Sequence, residues 1–514
     1  MTSTVEFDEA VGHPRRWPIL AILNLSLILI VASVSSLNLA IPSIQRELNA
    51  TASELVWINA SYALVFAGLL LPAGALGDRF GRKPALIVGL AVFLLSALVA
   101  TLSNDAGQLI ILRGAMGIGA ALTMPATLSI ITVIFPPEER AKAIAIWSGF
   151  AGAGGALGIV ASGFLLESFW WGSVFFINVP IAALALVLVI ALVPNSKDPE
   201  ERPLDPVGSA LSIGGLVALV YGLIQGPEFG WTDPIVIGAF VASAALLYAW
   251  VRVELAQKDP LLDPRLFKIG RFGWGSFTIT TAFLAMFGFF FVLTQYLQFT
   301  LDYTPLEAAI RTLPFAPTMI AIAPRGPALA ARFGAGRMMA IGMTVSAIGM
   351  VMFAFMGSDT SYPPVALGII VTSAGMALTF PTATEAIVSS LPQNKAGVAS
   401  AMNDTTREVG GAIGIALLGT LLSSGYRRSL GDATDGLPPE LADVAQDNVG
   451  AALAVAADAP GGESLAAAAR DAFVDGMVWS MGTGAAVMLV GAAIVYRFFP
   501  RQHVDVFAEV GENV

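Results

Sequence analysis

Three ionisable residues, Asp404, Arg407 and Glu408, fall within five positions in Asn403-Asp-Thr-Thr-Arg-Glu-Val-Gly-Gly411, near the start of a long apolar segment. A charge at the centre of a bilayer costs about 3 kcal/mol or more, so those that persist usually mark ion or substrate pathways. On a helix, Asp404 and Glu408 are spaced i, i+4 and share one face, while Arg407 is placed to pair with Asp404. That pairing leaves Glu408 as a carboxyl able to take up and release a proton, with Glu385 in Pro381-Thr-Ala-Thr-Glu385 as the other candidate. The first half of the chain offers one clear intramembrane charge, Arg113, whose plain structural use is to bond main-chain carbonyls inside a bundle. The competing reading of the 403–411 cluster is the solvated end of a helix. The segment runs for about 29 residues where about 20 suffice to cross the hydrocarbon. Asp404 then lies at the boundary, and Glu408 about 6 Å deeper at the helical rise of about 1.5 Å per residue.

Such residues need a membrane scaffold, and the composition supplies one. Of 514 residues, 56% are hydrophobic and 12% are charged, with a mean hydropathy of +0.76. A soluble domain carries about 25% charged residues. Cysteine is absent and the two histidines, His13 and His503, lie near the termini, so no disulfide, metal site or cofactor is expected. The segment Gly77-Asp-Arg-Phe-Gly-Arg-Lys83 lacks the spacing of a phosphate-binding loop, and no nucleophile constellation accompanies it, so an enzyme is not expected. The net charge of −10 is concentrated between Tyr426 and Asp475, where nine acidic residues face Arg427, Arg428 and Arg470. The acidity therefore belongs to one loop, and no basic patch suits a nucleic acid.

Fourteen apolar stretches of bilayer-crossing length are predicted, at about 17–42, 53–77, 84–102, 108–135, 139–165, 170–193, 205–226, 233–253, 272–299, 306–330, 337–357, 363–390, 397–425 and 474–498. The first is too long for a signal-peptide core and no small-residue cleavage site follows it, so it is read as a span. With the N-terminus inside, most loop cations, among them Arg15, Arg79, Arg82, Lys83, Arg140, Lys142, Arg202, Lys258, Arg271, Lys395 and Arg501, fall on the cytoplasmic side. Arg46, Arg427, Arg428 and Arg470 fall outside. Both termini are then cytoplasmic and the acidic 426–473 loop is external, with Pro439 to Asp447 and Ser464 to Asp475 as candidate short amphipathic helices.

The sequence also repeats itself. Ala121-Leu-Thr-Met-Pro125 returns as Ala377-Leu-Thr-Phe-Pro381, and Gly154-Gly-Ala-Leu-Gly-Ile159 as Gly410-Gly-Ala-Ile-Gly-Ile415, both at an offset of 256; Arg79-Phe-Gly81 returns as Arg332-Phe-Gly334 at 253. Each pair is eight spans apart and so shares one orientation. This gives an all-α polytopic membrane protein of 6+2+6 helices: a tail at 1–16, a six-helix bundle at 17–193, two linking helices within 194–271, a second bundle at 272–498 that includes the 426–473 loop, and a tail at 499–514. Parallel six-helix halves around a central path are a transporter plan. At offset 256 Glu385, Asp404, Arg407 and Glu408 correspond to Ser129, Ser148, Ala151 and Gly152. The charges are thus particular to the second half.

The loop Gly74-Ala-Leu-Gly-Asp-Arg-Phe-Gly-Arg-Lys83 closely resembles the cytoplasmic signature of the major facilitator superfamily. In it Asp78 is suited to accept from helix N-terminal amides, and Arg79, Arg82 and Lys83 to face acidic groups or lipid phosphates. Leu39-Ala-Ile-Pro-Ser43, Trp57 with Tyr62, Arg113-Gly-Ala-Met-Gly-Ile-Gly119, Trp171-Gly-Ser-Val-Phe-Phe-Ile-Asn-Val-Pro180 and Asn403-Asp-Thr-Thr-Arg-Glu408 look like the fourteen-helix drug/proton antiporters of that superfamily, over nearly the whole chain. The resemblance implies the major facilitator fold and a cytoplasmic gate built on Gly74, Gly77, Asp78, Arg79, Gly81, Arg82 and Lys83. It also implies an antiporter-like motif at Gly154, Gly155 and Gly158, and a part for Arg113 in proton transfer. Ser33 and Ala60, beside Asn59, stand where family members often carry acids, and Ile159 where proline is usual. The expected function is proton-coupled export of amphiphilic drugs across the bacterial inner membrane by a monomer, with protons and membrane lipids as its other partners. Ser33, Asn59, Phe287, Phe290, Gln295 and Tyr296 are candidates for lining the substrate path. The missing acids motivate the alternative, an exporter of lipid-like amphiphiles with weak or no proton coupling.

Overall fold

The structure, a computed structural model, describes residues 12–48, 50, 52–197, 205–257, 260–435, 437–458 and 462–500. The tails with His503 and Arg501, and the loop cations Arg202 and Lys258, lie outside the described residues. Among the described residues fourteen helices are long and apolar enough to cross a membrane. They are α1 (Arg16–Leu48), α2 (Ala52–Phe80), α3 (Arg82–Ala100), α4 (Ala106–Ile134), α5 (Pro137–Ser168), α6 (Ser173–Leu192), α7 (Pro206–Phe229), α8 (Pro234–Ala256), α9 (Gly270–Thr300), α10 (Pro305–Phe333), α11 (Ala335–Phe353), α12 (Tyr362–Val388), α13 (Ala396–Leu430) and α14 (Gly462–Phe498). We call the face that carries residues 12–15 the near face; odd-numbered helices start there and even-numbered ones end there.

Local chemistry sets the helix ends. Asp105, Asp205 and Asp233 cap α4, α7 and α8, each accepting an amide from the first turn. Thr304 and Glu307 form a capping box at the start of α10. That helix then breaks into four pieces along Pro314, Pro324 and Pro327, because proline removes an amide donor and crowds the preceding turn. α5 is unbroken from Pro137 to Ser168, in keeping with Ile159 at the position where a proline would bend it.

The repeat seen in the sequence is a repeat of packing. A side chain at Gly89 of α3 would meet Thr123 Oγ1 at 2.5 Å and the Gly119 carbonyl at 2.8 Å, and Gly342 of α11 sits in the same way against Thr379 and Gly375 of α12. Gly81 and Gly334 open α3 and α11 with φ of 112° and 91°, values that glycine adopts without steric cost. The apolar core has one cluster drawn mainly from Ile19 to Val193, with Val388 of α12, and another mainly from Leu261 to Phe499, which takes in Leu71 of α2, Leu216 of α7 and Trp250 of α8. α7 lies across α2 and α13, and α8 packs on α7 with Ile235, Val241 and Tyr248 exposed.

The halves meet along two seams. In the first, α13 lies against α2 and α4; in the second, α5 lies against α10 and α12. On the far side the 426–473 segment is more helical than its composition suggests. Pro439–Asp447 forms the short helix expected, but Ser464 to Asp475 is no separate helix: it is the start of α14, and α13 runs on to Leu430. The Gly476 backbone sits against Leu422 and Gly425 of α13, so a close helix pair continues past the apolar stretch.

Candidate proton-coupling and substrate site

The charged stretch of α13 is packed between the halves rather than solvated. Asp404 is 1% and Arg407 6% exposed, and Glu408 is half-buried. Arg407 Nη1 lies 3.4 Å from Asp404 Oδ1, the intrahelical pair that the i, i+3 spacing predicts. Asp404 Oδ1 also accepts from Asn403 Nδ2 at 3.2 Å, and Asn403 Oδ1 accepts from Thr384 Oγ1 of α12 at 3.0 Å. This chain fixes the Asp404 rotamer and leaves Oδ2 buried with no partner. The helix-end reading therefore fails for Asp404. Eight residues of α13 precede it, it is enclosed by protein, and its counter-ion lies on the same helix.

Arg407 spreads over two rings from opposite halves. Its guanidinium carbon is 4.6 Å from the Phe283 centroid on α9 and 5.3 Å from Trp147 on α5. Trp147 is itself fixed, donating from Nε1 to Thr127 Oγ1 at 3.1 Å. Trp147 and Thr127 were not singled out from the sequence. The repeat register carried the signal, since Trp147 immediately precedes Ser148, the counterpart of Asp404.

Arg113 and Glu408 converge on Tyr62 of α2. Arg113 is fully buried, donates from Nε to the Ile58 carbonyl at 3.2 Å and stacks over Tyr62 at 4.4 Å. Its Nη1 and the Tyr62 hydroxyl have no partner. Tyr62 is within electrostatic reach of both Arg113 and Glu408. Read from the far face, Arg113, Tyr62, Glu408 and the Arg407–Asp404 pair form a column across the inter-half contact. Glu385 stands apart, three residues from the near end of α12, within electrostatic reach of Arg140 on α5 and Arg271 on α9.

At the near face, Asp78 Oδ1 accepts from the Gly397 amide at 2.9 Å and Oδ2 from Val398 at 3.2 Å, at the first turn of α13. Arg82 donates to Asp78 Oδ1 from Nε at 2.9 Å and Nη2 at 2.8 Å, and Nη2 also reaches the Gln393 carbonyl at 2.8 Å. A side chain on Gly74 would meet the Gly397 carbonyl at 2.5 Å. Lys83 instead donates to the Ile190 carbonyl at the end of α6, Arg79 lies over Phe80, and Gly77 packs loosely on Ala85. Asp78 and Arg82 thus join the halves, and Lys83 stays within the first.

The remaining candidates divide. A side chain on Gly158 would run into the Ala32 backbone of α1, Gly154 faces Val31 and Gly155 faces Ser35. Their repeats Gly410 and Gly414 press on α9. These glycines hold each half together. The glycines of α5 that face the other half are Gly149, Gly152 and Gly163, against Ala323, Met319 and Leu306 of α10. Phe287 lies beside Gly411 near the charged stretch, and Phe290 packs edge-on against Phe315. Gln295 bonds the Phe291 carbonyl of its own helix, and the Tyr296 hydroxyl bonds the Gly357 carbonyl. Those two serve the far end of α9. Ser33 is buried in α1 and Asn59 is half-buried in α2. One further carboxyl pair lies outside this region. Glu254 of α8 and the α7 cap Asp205 are buried together, within hydrogen-bond reach of each other, and Glu254 also faces the Leu261 and Leu262 amides.

A family model described as Major Facilitator Superfamily matches residues 23–415. The chain belongs to the major facilitator superfamily. The superfamily plan also fits solved structures at the level of fold. The human organic anion transporter MFSD10 aligns over 94% of this chain and 100% of its own, with a TM-score of 0.61 and 14% identity. The proton:xylose symporter XylE aligns over 94% and 96%, with a TM-score of 0.58 and 16% identity. Similar sequences include the multidrug efflux pump LfrA of Mycolicibacterium smegmatis, 34% identical over 95% of this chain and 97% of that protein. The tetracenomycin C resistance and export protein of Streptomyces glaucescens is 31% identical over 96% and 95%. The methyl viologen resistance protein SmvA of Salmonella typhimurium is 33% identical over 90% and 93%. This superfamily member is a multi-pass membrane transporter rather than an enzyme.

Proposed function

We propose that the protein is a proton-coupled exporter of amphiphilic small molecules, working as a monomer in a bacterial inner membrane with both termini cytoplasmic. The observation that carries the reading is the Asp404–Arg407–Glu408 stretch, enclosed where the halves meet, with Glu408 within electrostatic reach of Tyr62 of the first half, over which Arg113 stacks. A proton taken up at Glu408 changes the charge within the inter-half contact, and so biases which face opens. The Asp78–Arg82 clasp on the start of α13 holds the near face shut in one of the two states and must release in the other. A membrane potential contributes about 2.3 kcal/mol per charge per 100 mV, enough for one or two carboxyls to drive concentrative export. The efflux and resistance names of the similar proteins support a drug substrate and do not favour the lipid-exporter alternative.

Uptake into inverted vesicles under an imposed pH gradient tests the reading. Glu408→Gln is expected to lower gradient-driven uptake at least ten-fold, and Asp404→Asn by a similar amount. Glu385→Gln, apart from the column, is expected to act less. Uptake that persists in all three variants would remove this cluster from coupling.

A further inference from the structure

The surroundings of Arg407 are those of a receptor for an organic cation. Phe283 and Trp147 offer ring faces at 4.6 and 5.3 Å from the guanidinium carbon, and Phe283 is backed by Phe380, stacked at 4.6 Å. Asp404 supplies the counter-charge on one oxygen at 3.4 Å, while its second oxygen is buried and unpartnered. Ring quadrupoles attract delocalised cations most strongly where water is excluded, and all of these groups lie in the protein interior. The rings come from two elements of opposite halves, each held by a contact of its own: Trp147 by Thr127 and Phe283 by Phe380. Arg407 fills the space on a side chain tethered to α13, and its bond to Asp404 is long for a charge-assisted pair, which usually closes to about 2.8 Å.

We propose that Trp147, Phe283 and Asp404 form a subsite for a delocalised hydrophobic monocation, and that Arg407 occupies it as a tethered competitor. The native chain then handles neutral amphiphiles in preference to permanent monocations, because a cation must first displace a guanidinium already at the rings. The selectivity rests on the export reading given above, but the binding does not. A side chain that vacates the rings converts the same pocket into a cation site. The absence of acids at Ser33 and Ala60 fits this assignment, since no carboxyl at those positions offers a cation another place to go.

Equilibrium binding of tetraphenylphosphonium to the purified full-length protein tests the subsite without transport. Arg407→Gln is expected to bind the probe at least ten-fold more tightly than wild type. The gain is expected to vanish in Arg407→Gln/Trp147→Leu and in Arg407→Gln/Asp404→Asn, and to return in part in Arg407→Gln/Trp147→Phe. Arg407→Lys keeps a buried cation but covers the rings less well. It gives the same test at smaller size, about three-fold, should Arg407→Gln not fold. No gain in either variant, or a gain that survives loss of Trp147, would overturn the proposal. Uptake of a neutral amphiphile by wild-type vesicles is measured alongside. Its failure would count against export while leaving the binding result intact.

Discussion

One carboxylate at Asp78 satisfies two amides of α13 and two donors of Arg82, which makes it the most connected charge between the halves. Its partners explain why aspartate and arginine stand four residues apart around Gly81. The carboxylate must reach a helix N-terminus, where backbone dipoles favour negative charge, and Arg82 must neutralise it within protein. Removing the acceptor leaves the Arg82 Nε and two amides without a partner, and Arg82 with only main-chain carbonyls, in the closed state only, and a bond to a charged group is worth about 1.5–3 kcal/mol. Asp78→Ala is therefore expected to shift the conformational balance towards an open near face by at least about ten-fold. The chain has no native cysteine, so Ala401→Cys, opposite Gly74 in this seam, reports the shift through maleimide labelling. Protection unchanged by Asp78→Ala would mean that the clasp does not hold the face shut. The residue types of this site were readable from the sequence; their division of labour was not. Lys83 belongs to the same motif yet bonds within its own half, to the Ile190 carbonyl near the end of α6.

At the scale of helices, the small-residue repeat was legible but its purpose was ambiguous, since spacing shows a flat face and not what lies on it. The fold resolves this. Gly158 and Gly414 press on α1 and α9 at the same place in each half, and the seam between halves uses Gly149, Gly152 and Gly163 instead. Gly158→Ala and Gly414→Ala each push a methyl group into a backbone and are expected to lower thermal stability by about 1–3 kcal/mol, the usual cost of overpacking. Gly482→Ala in α14, where nothing lies within 4 Å, is the control and is expected to gain about 0.5–1 kcal/mol from helix propensity. Equal loss in all three, followed by thermal unfolding in detergent, would deny the contact its role. The Asp205–Glu254 pair escaped sequence reading because each acid sits at a span end, where charges are ordinary. Two carboxyls facing each other in protein repel, and an amide at one position can donate to the other. Glu254→Gln is expected to raise the melting temperature by about 1 °C, close to the shift for about 1 kcal/mol in a chain of this size; a lower melting temperature would mean that the carboxylate's bonds to the Leu261 and Leu262 amides outweigh the repulsion.

The whole molecule combines two pseudo-equivalent bundles with a hairpin, α7–α8, that belongs to neither. The repeat suggests the bundles, and the hairpin is readable from the sequence only as two extra spans, because nothing in its composition says where it packs. It lies on α2, with Val217 where a side chain on Gly68 would meet it at 2.8 Å and Tyr221 beside Trp57, and touches α13 through Trp231 Nε1 and Thr420 at 3.3 Å. Rocking of the halves requires the α5–α10 seam to part, whereas a hairpin seated mainly on α2 travels with the first half. Paired cysteines separate these motions. Gly149→Cys with Ala323→Cys places side chains whose Cβ positions are about 3.3 Å apart, near the roughly 3.8 Å of a disulfide. Oxidation of that pair is expected to abolish transport, and reductant to restore it. Gly68→Cys with Val217→Cys ties the hairpin to α2, and its oxidation is expected to leave at least half of the transport rate. If the seam pair transports when oxidised, the halves do not separate along α5. If the hairpin pair is the one that stops transport, α7 must slide on α2 during the cycle, and the hairpin is a moving part rather than a passenger.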